Sequence, residues 1–237
     1  MQNFYESDSP KDFSYDDFII DTNAKNKVLG KTFFWMFLGL LGSGLVALFT
    51  YYSGLAIPII YEHFNTVVFL EILVALLFGL FFRKLSPTAV GVLFFLYSMI
   101  SGLTLSIIFI AFELSSILSL FFISALAFGA LAFIGYNTNA DLSNWGSYIS
   151  VFLLASILIS LINMVFLKSS RVEIVLDIIV LIVFFAATIY DLNRFKILWR
   201  DPSIDKEKIH IYFAMELYLD FINIFLRMLS LFGKRKK

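Results

Sequence analysis

The stretch HIYFAMELYLDFINIFLRMLSLF, residues 210–232, decides the fold. It is long and apolar enough to cross a bilayer, yet it carries Glu216, Asp220, Asn223 and Arg227. These four step by four, three and four residues, so at 3.6 residues per turn they lie along one helix face. The other faces carry Tyr212, Phe213, Leu217, Leu219, Phe221, Ile222, Ile224, Phe225 and Leu226. A stripe with three charges cannot be turned to acyl chains, where each ionisable group costs about 2.5–3.5 kcal/mol. It must face protein or water. The alternative, an amphipathic helix lying on the membrane surface, calls for a broader and more lysine-rich polar face. The spacing therefore predicts a central helix, and the rest of the chain should surround it.

Six further apolar runs precede it. Crossing the hydrocarbon core takes about 20 residues. The runs fall at Thr32–Ser53, Thr66–Phe82, Pro87–Phe112, Ser115–Tyr136, Ser147–Leu167 and from Val172 to at least Asp191. The predicted fold is an all-α membrane protein: seven transmembrane helices, six surrounding a central polar C-terminal helix. Three parts are expected: a polar, mostly disordered cytoplasmic tail (1–31), the seven-helix domain (32–233) and a basic C-terminal tail (234–237). The first 31 residues lack the basic start, short apolar core and small-residue cleavage site of a secretory signal. The longest connection, between the sixth and seventh runs, is too short to hold a soluble domain. Gly39, Ser43 and Ala47 in the first run, and Ser124, Ala125, Gly129 and Ala130 in the fourth, are small residues that allow close helix packing.

Composition agrees. Apolar residues make up 60% of the 237, and mean hydropathy is +0.88, above the roughly half-apolar make-up of soluble domains. The 18 basic and 18 acidic residues cancel, so no net field points to nucleic acid. Cysteine is absent, which excludes disulfides, thiolate catalysis and Cys-bearing metal sites. His63 and His210 are too few for a His-based zinc site. No cofactor is expected. With the N-terminus inside, the inner segments hold 11 Lys and Arg residues and the outer ones six, so the positive-inside rule favours a cytoplasmic N-terminus. The basic C-terminus is discordant. It would be reconciled if the last helix did not fully cross.

Other charges also lie at membrane depth. Glu71 is mid-way through the second run and Arg83 ends it. Asp177 and Asp191 stand towards opposite ends of the sixth. Asp191 alone reads equally as a solvated helix end, and Arg83 alone as a positive-inside anchor. Apolar residues recur at Phe195, Leu198 and Trp199. A sixth helix that continued through them would set Asp191 a turn or two below the surface. Asp191, Arg83 and Asp220 would then meet if the seventh helix began about a turn after His210.

Five motifs carry a resemblance: Leu70-Glu71-Ile72 with Arg83, Ser101-Gly-Leu-Thr-Leu-Ser106, Gly135-Tyr-Asn-Thr-Asn-Ala-Asp-Leu-Ser143, Ile189-Tyr-Asp-Leu192 and Glu216-Leu-Tyr-Leu-Asp-Phe-Ile-Asn223. On these, over roughly residues 25–233, the chain resembles the transmembrane Bax inhibitor motif (Bax inhibitor-1) family, in its bacterial form. Asn139 departs from a common lysine and Leu192 from a common threonine. The resemblance implies a seven-helix fold with a central last helix, and a pH-sensitive calcium leak. It implies a proton-sensing aspartate pair matched by Asp191 and Asp220, with Arg83 holding the closed state. Glu71, Glu216 and Asn223 become candidates for an ion path. Two carboxylates held close cannot both ionise cheaply, so such a pair shares a proton. Their oxygens also suit weak, transient calcium ligation.

The implied partners are membrane lipid and calcium or other cations. A membrane regulatory protein that binds a membrane protease or cell-death factors is the alternative reading. An intramembrane aspartyl protease is a further one, but glycines belong before its second aspartate, and Leu217-Tyr-Leu-Asp220 is bulky there. The chain is therefore read as a non-enzyme. The expected location is a bacterial cytoplasmic (inner) membrane.

Overall fold

The computed structural model describes residues 15–199 and 205–236. Seven long helices follow one another: α1 (Tyr15–Tyr52), α2 (Phe64–Phe81), α3 (Pro87–Ala111), α4 (Leu114–Asn137), α5 (Trp145–Ile162), α6 (Ser170–Trp199) and α7 (Lys206–Phe232). All seven are long and apolar enough to span a membrane. The chain is an all-α integral membrane protein.

Local signals set the helix ends. Ser86 caps α3, its Oγ accepting from the Ala89 amide at 3.3 Å with Pro87 just inside. Asp205 caps α7 through the Glu207 amide at 2.9 Å. Gly54, at φ +77°, leaves α1 through the left-handed region that suits glycine.

The exposure pattern is the reverse of a soluble protein's. Phe37, Leu41, Leu45 and Phe49 form an exposed apolar row down α1, while Asp177, Asp191 and Asp220 are buried. Apolar surface this continuous fits an acyl-chain environment. Of the seven helices α7 is the most enclosed: 67% of its central window is buried, against 6% for the α5 span. It packs directly on α1, α3, α4 and α6. From α2 it receives Phe78 and Phe82, whose rings lie 6.3 and 4.3 Å from that of Tyr212. α5 packs on α6. The last helix is thus enclosed chiefly by four neighbours, where six surrounding it were expected.

Three expectations need correction. Residues 15–31, expected to belong to a mostly disordered tail, continue α1 as helix. Residues 23–31 hold no proline and one glycine, and no capping signal interrupts them before the apolar run. The tail's first 14 residues lie outside those described. Second, the connection between the last two helices is shorter than the gap between the sequence runs: α6 continues to Trp199, as the recurring apolar residues allowed, and α7 starts at Lys206, leaving 200–205, of which 200–204 lie outside the described residues. The apolar Phe195, Leu198 and Trp199 carry the helix on because they find core to bury in, Phe195 being fully enclosed. Third, α7 starts earlier than expected, not later. The extension of α6 below Asp191 brings the two aspartates level.

The C-terminal tail is also structured. Lys234 O accepts from the Glu113 amide at 2.9 Å, and the Lys236 amide donates to Ala111 O at 3.0 Å. Lys234 Nζ pairs with Glu113 at 3.0 Å. Lys236 Nζ donates to Phe109 O at 2.7 Å, placing a cation on the carbonyl end of α3.

Candidate functional site

The polar stripe of α7 is met rung by rung by α6, which runs antiparallel to it. The first rung is Arg194 with Glu216, Nη1 to Oε1 at 3.0 Å. The Arg194 guanidinium sits over the Tyr212 ring at 5.6 Å. The second rung is Asp191 with Asp220. Both are buried, at 9% and 4% exposure, and their carboxyls lie within hydrogen-bonding reach of each other. Thr188, one turn before Asp191 and close to Asp220, donates its hydroxyl to Phe184 O at 2.9 Å. The third rung is Asp177 with Arg227, Oδ1 to Nη1 at 2.6 Å, and the Ser230 hydroxyl donates to Asp177 Oδ2. Between the second and third rungs Asn223 turns its amide to its own helix, donating to Leu219 O at 2.8 Å.

The outer rungs are electrically balanced and the middle one is not. Each outer carboxylate has a guanidinium against it. Among the described residues Asp191 and Asp220 have each other and more distant charges, with no guanidinium or ammonium paired to either, and Asp220 Oδ2 lacks a hydrogen-bond partner. An ionised carboxylate only accepts hydrogen bonds, so a bond between two carboxyls requires a proton on one of them. The arrangement can therefore hold one proton between two helices, or expose two charges when it is lost.

Of the residues singled out in the sequence, Asp191, Asp220 and Glu216 come together here. Arg83 stays apart. It is exposed in the turn after α2, where its carbonyl accepts from Lys208 Nζ at 3.3 Å. It does line a cavity of about 240 Å³ together with Arg194, Tyr212 and Phe213, but no described hydrogen bond or ion pair joins it to either aspartate. Arg194, counted in the sequence only as a loop charge, is the guanidinium beside the pair. Its signal was its place three residues after Asp191, as Thr188 is three before, which aligns all three on one helix face.

Glu71 belongs to another polar group, between α2 and α3. Its Oε1 accepts from the Tyr97 hydroxyl at 3.3 Å, and its Oε2 lies 3.1 Å from Thr104 Oγ1. Tyr218, on the opposite face of α7 from the ladder, packs edge-on against Tyr97 with ring centroids 5.9 Å apart. Among the described residues no three His, Cys, Asp or Glu side chains gather as a metal cluster. A calcium ion takes six to eight oxygens, so two carboxyls would give it a passing contact, completed by water or backbone oxygens.

The family described as "Inhibitor of apoptosis-promoting Bax1" matches residues 25–237. The inner membrane protein YbhL of Escherichia coli K12 is 36% identical over 218 residues, covering 88% of this chain and 92% of that one. A Borreliella burgdorferi protein is 35% identical, covering 90% and 94%. A Rickettsia prowazekii protein is 31% identical, covering 92% and 97%. With five motifs, seven spans and a match over nearly its whole length, the chain belongs to the Bax inhibitor-1 family.

Proposed function

We propose that this chain is a pH-sensitive leak for cations, calcium foremost, gated by Asp191 and Asp220 and lying in a bacterial inner membrane with its N-terminus cytoplasmic. The observation that carries this reading is the middle rung: two buried carboxyls from successive helices, within bonding reach and with no cation of their own. With one proton between them they latch α6 to α7. Without it two charges repel inside the protein and must draw in water or a cation, separating the helices. The latched state binds the extra proton, so by linkage rising pH favours the open state. Arg194 and Glu216 then stand between the latch and the small cavity shared with Arg83, and Asp177 with Arg227 at the other end.

The test is calcium efflux from proteoliposomes across pH, with potassium and proton controls. Wild-type flux should rise with pH. Asp191→Asn and Asp220→Asn keep the shape and hydrogen-bonding capacity of the pair without its titration, and should flatten the profile. Unchanged pH dependence in both variants would remove the aspartates from the gate. The family's description favours a second role, as a regulator of membrane partners. A pull-down that fails when residues 1–25 are removed, with flux intact, would separate the two.

A further inference from the structure

An open cleft of about 1080 Å³ runs down the outside of the bundle between α1 and α4, with Phe221, Ile222 and Phe225 of α7 at its back. It exceeds the roughly 300–1,000 Å³ usual for small-molecule sites. On α1 it extends from Leu29 to Leu48, about 28 Å at 1.5 Å per residue, close to the full hydrocarbon thickness. Its walls are almost wholly apolar, so water has nothing to hold it there.

The end at Leu29 is different. Tyr136, which lines the cleft, donates its hydroxyl to Asn26 Oδ1 at 2.7 Å. Lys25 lies over the Tyr136 ring, 5.3 Å from its centroid. Lys25 stands one turn before Leu29 on the same helix face. Residues 23–31 bear three lysines and no acid. A furrow lined for acyl chains thus ends at a basic and aromatic mouth, the combination that suits an anionic headgroup at a membrane interface.

We propose that this cleft is a binding site for an anionic phospholipid of the leaflet on the Lys25 side, its acyl chains between α1 and α4 and its phosphate at Lys25 and Asn26. A lipid there rests against Leu192 and Phe221, the residues that directly follow Asp191 and Asp220 in the chain. The site stands whether or not the aspartates gate a path.

Two glycines provide a clean test. Gly44 and Gly129 both line the cleft, and a Cβ on either would meet nothing within 4 Å. Leucine at both positions starts from an unobstructed Cβ and projects into the furrow, and it favours helix over glycine. The full chain is extracted in mild detergent, and bound phosphatidylglycerol and phosphatidylcholine are measured by native mass spectrometry, with circular dichroism as a check on folding. Wild type should retain phosphatidylglycerol. Gly44→Leu/Gly129→Leu should lower its affinity about tenfold or more with unchanged helicity. Lys25→Glu should weaken phosphatidylglycerol but not phosphatidylcholine. Equal retention by wild type and the filled variant means a non-specific annulus only and overturns the proposal. So does a filled variant that keeps its lipid but loses a dimer or a co-purifying membrane helix, since the cleft would then belong to protein.

Discussion

Asp177 and Arg227 show what a buried ion pair does in this molecule. Asp177 is 3% exposed, and both its carboxylate oxygens are engaged, one by Arg227 and one by Ser230. Removing one partner of a fully buried pair costs about 3–5 kcal/mol because the other is left uncompensated. The Arg227 side chain keeps 38% exposure, so Asp177→Ala should sit near the low end, about 3 kcal/mol. The double change Asp177→Leu/Arg227→Met should recover most of that loss, since it leaves no charge behind. Thermal unfolding in detergent measures both. If the double variant proves as unstable as the single one, packing rather than charge explains the site. At this scale the sequence was legible where one helix carried the whole pattern. Glu216, Asp220, Asn223 and Arg227 declared themselves by spacing alone. Arg194 did not, because it was counted among the charges of the connection after the sixth run, although the helix itself was open to continuing through Trp199. Arg83 was carried by the family resemblance, reading on its own as a positive-inside anchor, and only tertiary packing distinguishes the two guanidiniums.

Helix contacts depend on small residues, and the two stripes read from the sequence separate here. Gly39, Ser43 and Ala47 do bring helices together. A Cβ at Gly39 would strike the Phe94 side chain, and Ser43 and Ala47 are each 1% exposed. The facing residue on α3 is Gly102, where a Cβ would come 2.6 Å from Ser43 O and 2.7 Å from Val46 Cβ. That backbone oxygen cannot swing away. Gly102→Ala should therefore destabilise by about 1–3 kcal/mol, the usual cost of overpacking. At Gly79 nothing lies within 4 Å, and Gly79→Ala should gain up to about 1 kcal/mol from helix propensity. Opposite signs in the two unfolding curves are the expected result. A stabilising Gly102→Ala would mean that propensity, not close approach, governs the α1–α3 contact. In the α4 stripe Ser124 is fully buried, while Gly129 opens on the cleft. A sequence names residues that allow close approach, but whether a neighbour comes is decided by the neighbour's own side chains.

For the whole molecule the open question in the sequence was orientation, since a basic C-terminus sat on the expected outer side. The packing of the tail is compatible with seven crossings. Lys234 is paired with Glu113 and Lys236 is engaged by the Phe109 carbonyl, so part of the tail's charge is committed to the α3–α4 turn. That turn lies at the Tyr51 end of α1, where Lys236 Nζ also meets the Tyr51 hydroxyl at 3.1 Å. The opposite end of the bundle gathers Asn26 with Tyr136, and Lys196 with Thr138 O. Charge in the short loops should then place the Asn26 end inside. Because the chain has no cysteine, single cysteines report sidedness without background. Ser53 and Ser143 are both exposed and stand at opposite ends of the bundle. A membrane-impermeant maleimide applied to intact cells should label Ser53→Cys and spare Ser143→Cys, with both labelled after lysis. The reverse pattern would invert the molecule and put the Arg83 and Arg194 cavity on the outer face. The proposed latch would then sense the pH of the other compartment, because Asp191 lies towards the Trp199 end of α6, the end that this labelling assigns.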